Sequence, residues 1–152
     1  MISIQYQVPD LPKLDVEILK KTVLATLNEQ SVLDEVDLSL ILTNDEEVQS
    51  LNRHYRGYDK PTDVLSFEAN ETDPETGRLY LGDIVISLER AMQQAEQGGY
   101  PLLSEVQLLV VHGVLHLLGH DHAEADEKAK MWHHQAEVLA RLDLSDIRIQ
   151  EE

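Results

Sequence analysis

Val110-Val111-His112-Gly113-Val114-Leu115-His116-Leu117-Leu118-Gly119-His120-Asp121-His122 constrains this chain more than any other stretch. It gathers four of the seven histidines into one largely apolar window. His112 and His116 stand four residues apart. On an α-helix that spacing leaves two side chains about 40° apart around the axis and about 6 Å apart along it, so both imidazoles can reach one ion. Gly119 offers a left-handed helix stop, after which the chain can turn back and carry His122 to the same point. Three neutral imidazoles with an open fourth position make a catalytic zinc site, whereas structural zinc is usually closed by four ligands, often thiolates. The plainer alternative is a buried helix that happens to carry histidines. Burying two imidazoles on a Val/Leu face without partners is costly, which favours the metal.

Composition narrows the setting. The chain has 152 residues, a length that suits one domain over residues 1–152. Hydrophobic residues make up 42 %, enough for a core, and cysteine is absent. Thiolate ligands, disulfides and a cysteine nucleophile are thereby excluded. Met1-Ile2-Ser3-Ile4-Gln5-Tyr6 lacks the basic and apolar segments of a signal peptide, and no apolar run reaches membrane-spanning length, so a cytoplasmic protein is expected. The net charge of −17, from 12 Lys and Arg against 29 Asp and Glu, argues against coating a nucleic acid by bulk charge. Any contact with phosphate is expected to be confined to a small basic patch.

Hydropathy patterns give the elements. Residues 2–8 and 36–42 alternate as strands, 64–67 is a short strand, and 79–87 is a fourth. Helices are expected over 13–29, over 45–54 behind the Thr43-Asn44-Asp45-Glu46 cap signature, over 88–97 up to Gly98-Gly99, and over 123–142. The histidine helix, opened by Pro101 and Ser104, is apolar nearly all round and should be buried. Residues 68–78 are polar and acidic with turn signals at Asp73-Pro74 and Thr76-Gly77, and suit a hairpin excursion or a mobile loop. The acidic tail is expected to fray. These elements predict an α+β domain, with a small mixed sheet of about four strands packed with about five helices.

The spacing His112-x3-His116-x2-Gly119-x2-His122 equals the metzincin pattern at every position but one. The glutamate that serves those peptidases as general base is replaced by Gly113. A metal-activated water remains plausible, but peptide hydrolysis by the usual base is disfavoured.

Two further stretches stand beside the histidine window. One is Leu51-Asn52-Arg53-His54-Tyr55-Arg56-Gly57-Tyr58-Asp59-Lys60-Pro61-Thr62-Asp63-Val64-Leu65-Ser66-Phe67, and the other Gly82-Asp83-Ile84-Val85-Ile86-Ser87. In this order and over this length, the three blocks resemble those of the YbeY family of bacterial endoribonucleases and rRNA maturation factors. The resemblance implies a compact α+β domain with one zinc ion on His112, His116 and His122, another divalent transition metal such as Ni2+ being an alternative occupant. It implies cleavage of single-stranded RNA rather than DNA, maturation of the 16S rRNA 3′ end and ribosome quality control. The implied partners are the small ribosomal subunit with its proteins, and a ribosome-associated GTPase. Two positions depart from the family: Glu68 stands where a proline usually follows Phe67, which should alter the strand exit, and His120 stands where tyrosine is frequent. His120 is thus a competing imidazole beside the third ligand, although His122 keeps the metzincin-like spacing.

Arg56 matches the family's functional arginine. An arginine can clamp a phosphate bidentately and stabilise charge developing on phosphoryl oxygens. Arg53 and Lys60 could extend the basic patch. Asp121, between two histidines, is a candidate to orient a ligand, since a metal-bound imidazole usually donates its other N–H to a carboxylate or carbonyl. Asp63 and Asp83 could do the same, or could simply serve strand ends. Met131 invites comparison with a metzincin Met-turn, but its helix with Trp132, Val138 and Leu139 points to ordinary packing. The expected chemistry is attack on the phosphodiester by a metal-activated water or by the RNA 2′-OH, with Arg56 stabilising the charge. A non-catalytic assembly factor with a structural metal, and a metallopeptidase, are the competing functions.

Overall fold

Leu38, Leu40 and Leu42 alternate along one central strand, and their side chains are buried beneath helices. Around that strand the computed structural model, which describes residues 1–32 and 35–147, orders nine elements. In chain order they are β1 (Ile2–Tyr6), α1 (Val16–Glu29), β2 (Val36–Thr43), α2 (Asp45–Arg56), β3 (Val64–Thr72), β4 (Leu79–Ser87), α3 (Leu88–Gly98), α4 (Leu102–Leu117) and α5 (Ala125–Arg141). The sheet order is β1-β2-β4-β3. β1 and β4 both run parallel to β2, and β3 closes the edge antiparallel to β4. The sheet is therefore mixed, and the expected α+β architecture is the one observed.

One sheet face packs Leu40, Ile84 and Ile86 against Leu19 and Val23 of α1 and Val110 and Val114 of α4. On the other face α2 covers Leu65 and Val85 with Val48. The far side of α4 sets Leu108, Val111 and Leu115 against Met131, Val138 and Leu139 of α5. A helix held between a sheet and another helix has no wet face, which explains why α4 is apolar nearly all round. Met131 is fully buried in that contact, so packing accounts for it.

Two glycines set close approaches. A Cβ on Gly113 would lie 2.7 Å from Ile84 Cγ2, so only glycine lets α4 come this near β4. In metzincins this position carries the base; here it faces the sheet. Gly82 has φ +146°, and a Cβ there would stand 2.1 Å from the Phe67 carbonyl oxygen. The β2–β4 register shifts at the same point, with Leu38 opposite Gly82 after Asp37 opposite Tyr80. The extra residue bends the strand as a bulge does.

Several boundaries differ from the hydropathy expectation. α1 begins at Val16, not residue 13, because the Leu14 N–H donates to Tyr6 Oη (2.7 Å) and Asp15 caps the helix by accepting from the Glu17 and Ile18 N–H groups. β3 continues past residue 67 to Thr72, with Glu68 opposite Gly82 and a shift before Glu71. As an edge strand with its end in water, β3 needs no apolar alternation there. Glu68 keeps the pairing with β4 going, so the strand does not exit after Phe67. The stretch 68–78 is accordingly a hairpin, tied by the Asp73 N–H to the Arg78 carbonyl (2.8 Å). The acidic tail after Ile147 lies outside the described residues. Among the described residues, no single helix is long and apolar enough to cross a membrane.

Candidate metal centre

α4 ends at Leu117, and the backbone then turns through Gly119 at φ +97°. The His120 N–H bonds back to the Leu115 carbonyl (3.0 Å), which folds the chain over the last helical turn. Asp121 accepts the His122 N–H through Oδ1 (2.7 Å). These bonds swing His122 over the end of α4. One ring nitrogen from each of His112, His116 and His122 then lies within 4.8 Å of the others, an arrangement that could hold a metal ion.

The donor chemistry fits such an ion. The Nε2 atoms of His112 and His116 are 3.1 Å apart, near the roughly 3.4 Å that two nitrogens subtend in a tetrahedron with bonds of about 2.1 Å. His112 is 5 % exposed, and burial, aided by the neighbouring His116 and His122, pushes its pKa down to about 3. Burial also lowers that of His116, with His122 adding to the effect. Both rings are thus in the neutral, ligating form at neutral pH. His112 Nδ1–H donates to Gln135 Oε1 of α5 (3.1 Å), which leaves Nε2 with its lone pair toward the other two rings. Trp132, one turn earlier on α5, places its ring edge-on to His112 and His122, with centroids 5.8 and 5.5 Å away.

His120 is not part of this group. Its Nε2 meets Gln30 Oε1 at 2.7 Å, and its ring lies against His134, whose Nδ1–H donates to Glu29 Oε2 (3.0 Å).

The three histidines line a cleft of about 690 Å³. Arg56 and Lys60 line it from the α2–β3 side, whereas Arg53 lies outside the lining and pairs with Asp59 (3.7 Å). Arg56 is the last residue of α2 and is followed by Gly57 in the left-handed C-cap conformation. It donates through Nη2 to the Ser66 carbonyl (3.3 Å) and is near enough for its charge to depress the His116 pKa. Asp121 sits at the cleft but spends an oxygen on the loop backbone, so it shapes the loop that delivers His122. Asp63 also lines the cleft; its carboxylate accepts from the Val64 N–H and from Gln94. Asp83 bonds Tyr80 across the opposite sheet face and lies away from the histidines. Lys128, Trp132 and Gln135 are the site residues missed from sequence. Their i, i+4, i+7 spacing on α5 was the available signal.

Fold and site together define a class: an α+β domain whose central helix and glycine turn present three imidazoles to a solvent-open cleft, as metzincins do, but without the catalytic glutamate. A sequence profile of the family described as Endoribonuclease YbeY matches residues 2–143. A protein of that name from Pelotomaculum thermopropionicum is 48 % identical over 115 residues, covering 74 % of this chain and 76 % of its own. One from Carboxydothermus hydrogenoformans is 45 % identical over 136 residues, 89 % and 91 % of the two chains. The chain belongs to the YbeY family. Its fold is similar to the solution structure of TM1509 from Thermotoga maritima, with a TM-score of 0.57 over 100 % of this chain and 99 % of that one, at 24 % identity.

Proposed function

We propose that this protein is a metal-dependent endoribonuclease that cuts single-stranded RNA, and that zinc is its ion. The observation that carries the reading is the convergence of three imidazole nitrogens beneath a cleft whose rim holds Arg56 and Lys60. The names of the relatives supply the reaction class. When bound, the metal supplies Lewis acidity to the phosphodiester group. Arg56 holds a phosphoryl oxygen; its guanidinium is steadied on the Ser66 carbonyl and keeps further N–H donors for the substrate. Lys60 receives a neighbouring phosphate. Gln135 keeps the His112 ring in the tautomer that faces the cleft. Gly113 has no side chain that could take or deliver a proton, and this makes peptide hydrolysis by the metzincin route unavailable.

The biological reading is maturation of the 16S rRNA 3′ end and ribosome quality control in the cytoplasm, in contact with the small subunit, its proteins and a ribosome-associated GTPase. Family membership supports it. A net charge of −17 suits basic ribosomal proteins as neighbours.

Purified wild type, His116→Ala and Arg56→Ala, compared on single- and double-stranded RNA with metal content measured, test the proposal. Wild type should cut the single strand. His116→Ala should lose metal and cleavage together. Arg56→Ala should keep its metal and lose about 10²–10³ in rate, the cost of removing a group that stabilises developing charge. Equal cleavage by all three would point to a contaminating nuclease and sink the assignment. A 2′,3′-cyclic phosphate end would indicate attack by the RNA 2′-OH.

A further inference from the structure

Two walls of the cleft repeat one arrangement. On the sheet side of α4, Tyr58 is 60 % exposed and Lys60 Nζ lies 5.9 Å from its ring centroid. On the α5 side, Trp132 lines the same cleft with Lys128 Nζ 5.6 Å from its ring centroid. The imidazoles of α4 line the same cleft. Each wall thus offers an aromatic ring with a lysine ammonium over it. That is the composition of a single-strand nucleic-acid groove, where bases stack on aromatics and lysines follow the backbone.

We propose that Tyr58 and Trp132 are base-stacking platforms for the nucleotides on either side of the cut phosphodiester. Lys60 and Lys128 then swing from the rings to the flanking phosphates. The inference rests on the RNA reading above and deepens it. In a duplex each base is already stacked and paired and cannot lie on either ring. Strand selectivity therefore resides in these two side chains and not in the metal centre. Stacking tolerates every base because every base has a π-face, so the cleft selects unpaired RNA without selecting its sequence. Charge alone would not select in this way, since Lys60, Lys128 and Arg56 share the cleft with Asp63, Glu68 and Asp121.

Trp132 is the single tryptophan of the chain, which gives the site its own reporter. The zinc-loaded full chain would be titrated with a 2′-O-methylated oligoadenylate, and with the same backbone carrying abasic residues. Tryptophan emission would be read beside the anisotropy of an end label. Emission should change with the base-bearing strand and not with the abasic one. Trp132→Leu and Tyr58→Leu should each weaken the base-bearing strand about ten-fold or more, in line with the loss of one stacked base. Binding of the abasic strand should stay within about two-fold, and Trp132→Phe should recover most of the loss. Because Trp132 touches two of the histidines, zinc content is measured for each variant. The ratio of the two strands within one variant is independent of how much of it is folded. RNA binding and cleavage with unchanged emission, or an unaltered strand ratio in both leucine variants, would overturn the stacking proposal and leave the nuclease reading standing. Failure of the wild type to bind or cut RNA at all would overturn both.

Discussion

Six of the seven histidines fall into two groups, and the difference between them separates a ligand set from a hydrogen-bonded cluster. His112, His116 and His122 turn ring nitrogens toward one another. Between His112 and His116 that leaves two Nε2 atoms 3.1 Å apart, a spacing that suits two ligands of one cation. His120 and His134, with ring centroids 5.1 Å apart and His133 alongside, meet protein acceptors instead, at Gln30 and Glu29. Both groups arise from the same window and the facing helix α5. What divides them is whether the protein has already supplied a partner. An imidazole whose exposed nitrogen already has a protein acceptor is satisfied; three whose ring nitrogens gather within 4.8 Å of one another could hold an ion.

The contrast can be broken most severely at its inner group. Replacing His122 by alanine should release the metal and cut RNA cleavage by about 10³-fold or more, as several kcal/mol of charge stabilisation leaves with the ion. Gln135→Leu is the next largest effect. It removes the acceptor that fixes the His112 tautomer, and should weaken metal affinity about 10- to 100-fold, the usual cost of losing such a partner, with unchanged helix content by circular dichroism. A competition titration against a chelator measures it.

Another buried polar group on α4 sharpens the comparison through pH. Glu105 is fully buried and is bonded by Tyr100 and Gln94. Burial pushes its pKa up, assisted by the charge of Asp63, while it drives that of His112 down. One cause thus acts in opposite directions on an acid and a base of the same helix. For Glu105 the folded pKa exceeds the unfolded one. Its contribution to stability is complete below the ordinary carboxylate range and is lost as pH rises through the folded pKa. Glu105→Gln should therefore melt higher than wild type at neutral pH, by roughly 2–4 °C per kcal/mol gained. The gap should widen as pH climbs from about 4.5. A constant gap would place the effect in packing. His112 behaves conversely: its contribution is complete above its ordinary pKa of 6.5 and is lost as pH falls toward about 3.

The smallest effect belongs to the outer histidine group. His120→Ala removes one hydrogen bond to Gln30, worth about 1 kcal/mol, and should lower the melting temperature by roughly 2–4 °C while metal content and cleavage rate stay at the wild-type level.

The legible part of the molecule was the part with strong periodicity. α4 announced itself through an unbroken apolar surface and two histidines one turn apart, and both features follow from its place between sheet and α5. The strand order of the sheet depends on tertiary contacts that no local pattern encodes. β3 looked half its length because an edge strand with its far end in water carries no alternation. Gly113 illustrates a different gap. Its chemical meaning, the missing base, could be read from the motif, but its cause, the contact with Ile84, lies 29 residues away in the chain. Lys128, Trp132 and Gln135 were hidden by the amphipathic look of α5, in which residues at the cleft share the helix face that packs Met131. Arg53 and Arg56 were indistinguishable by composition. Position on the last turn of α2 decides between them: Arg56 points to the cleft, and Arg53 to Asp59.

Metal bound per chain in two single variants, His120→Ala and His122→Ala, purified identically beside wild type and assayed by atomic emission, separates the two histidine groups most directly. One ion in wild type, one in His120→Ala and none in His122→Ala is the predicted result. Retention of the ion by His122→Ala together with its loss from His120→Ala would contradict the assignment of the two histidine groups.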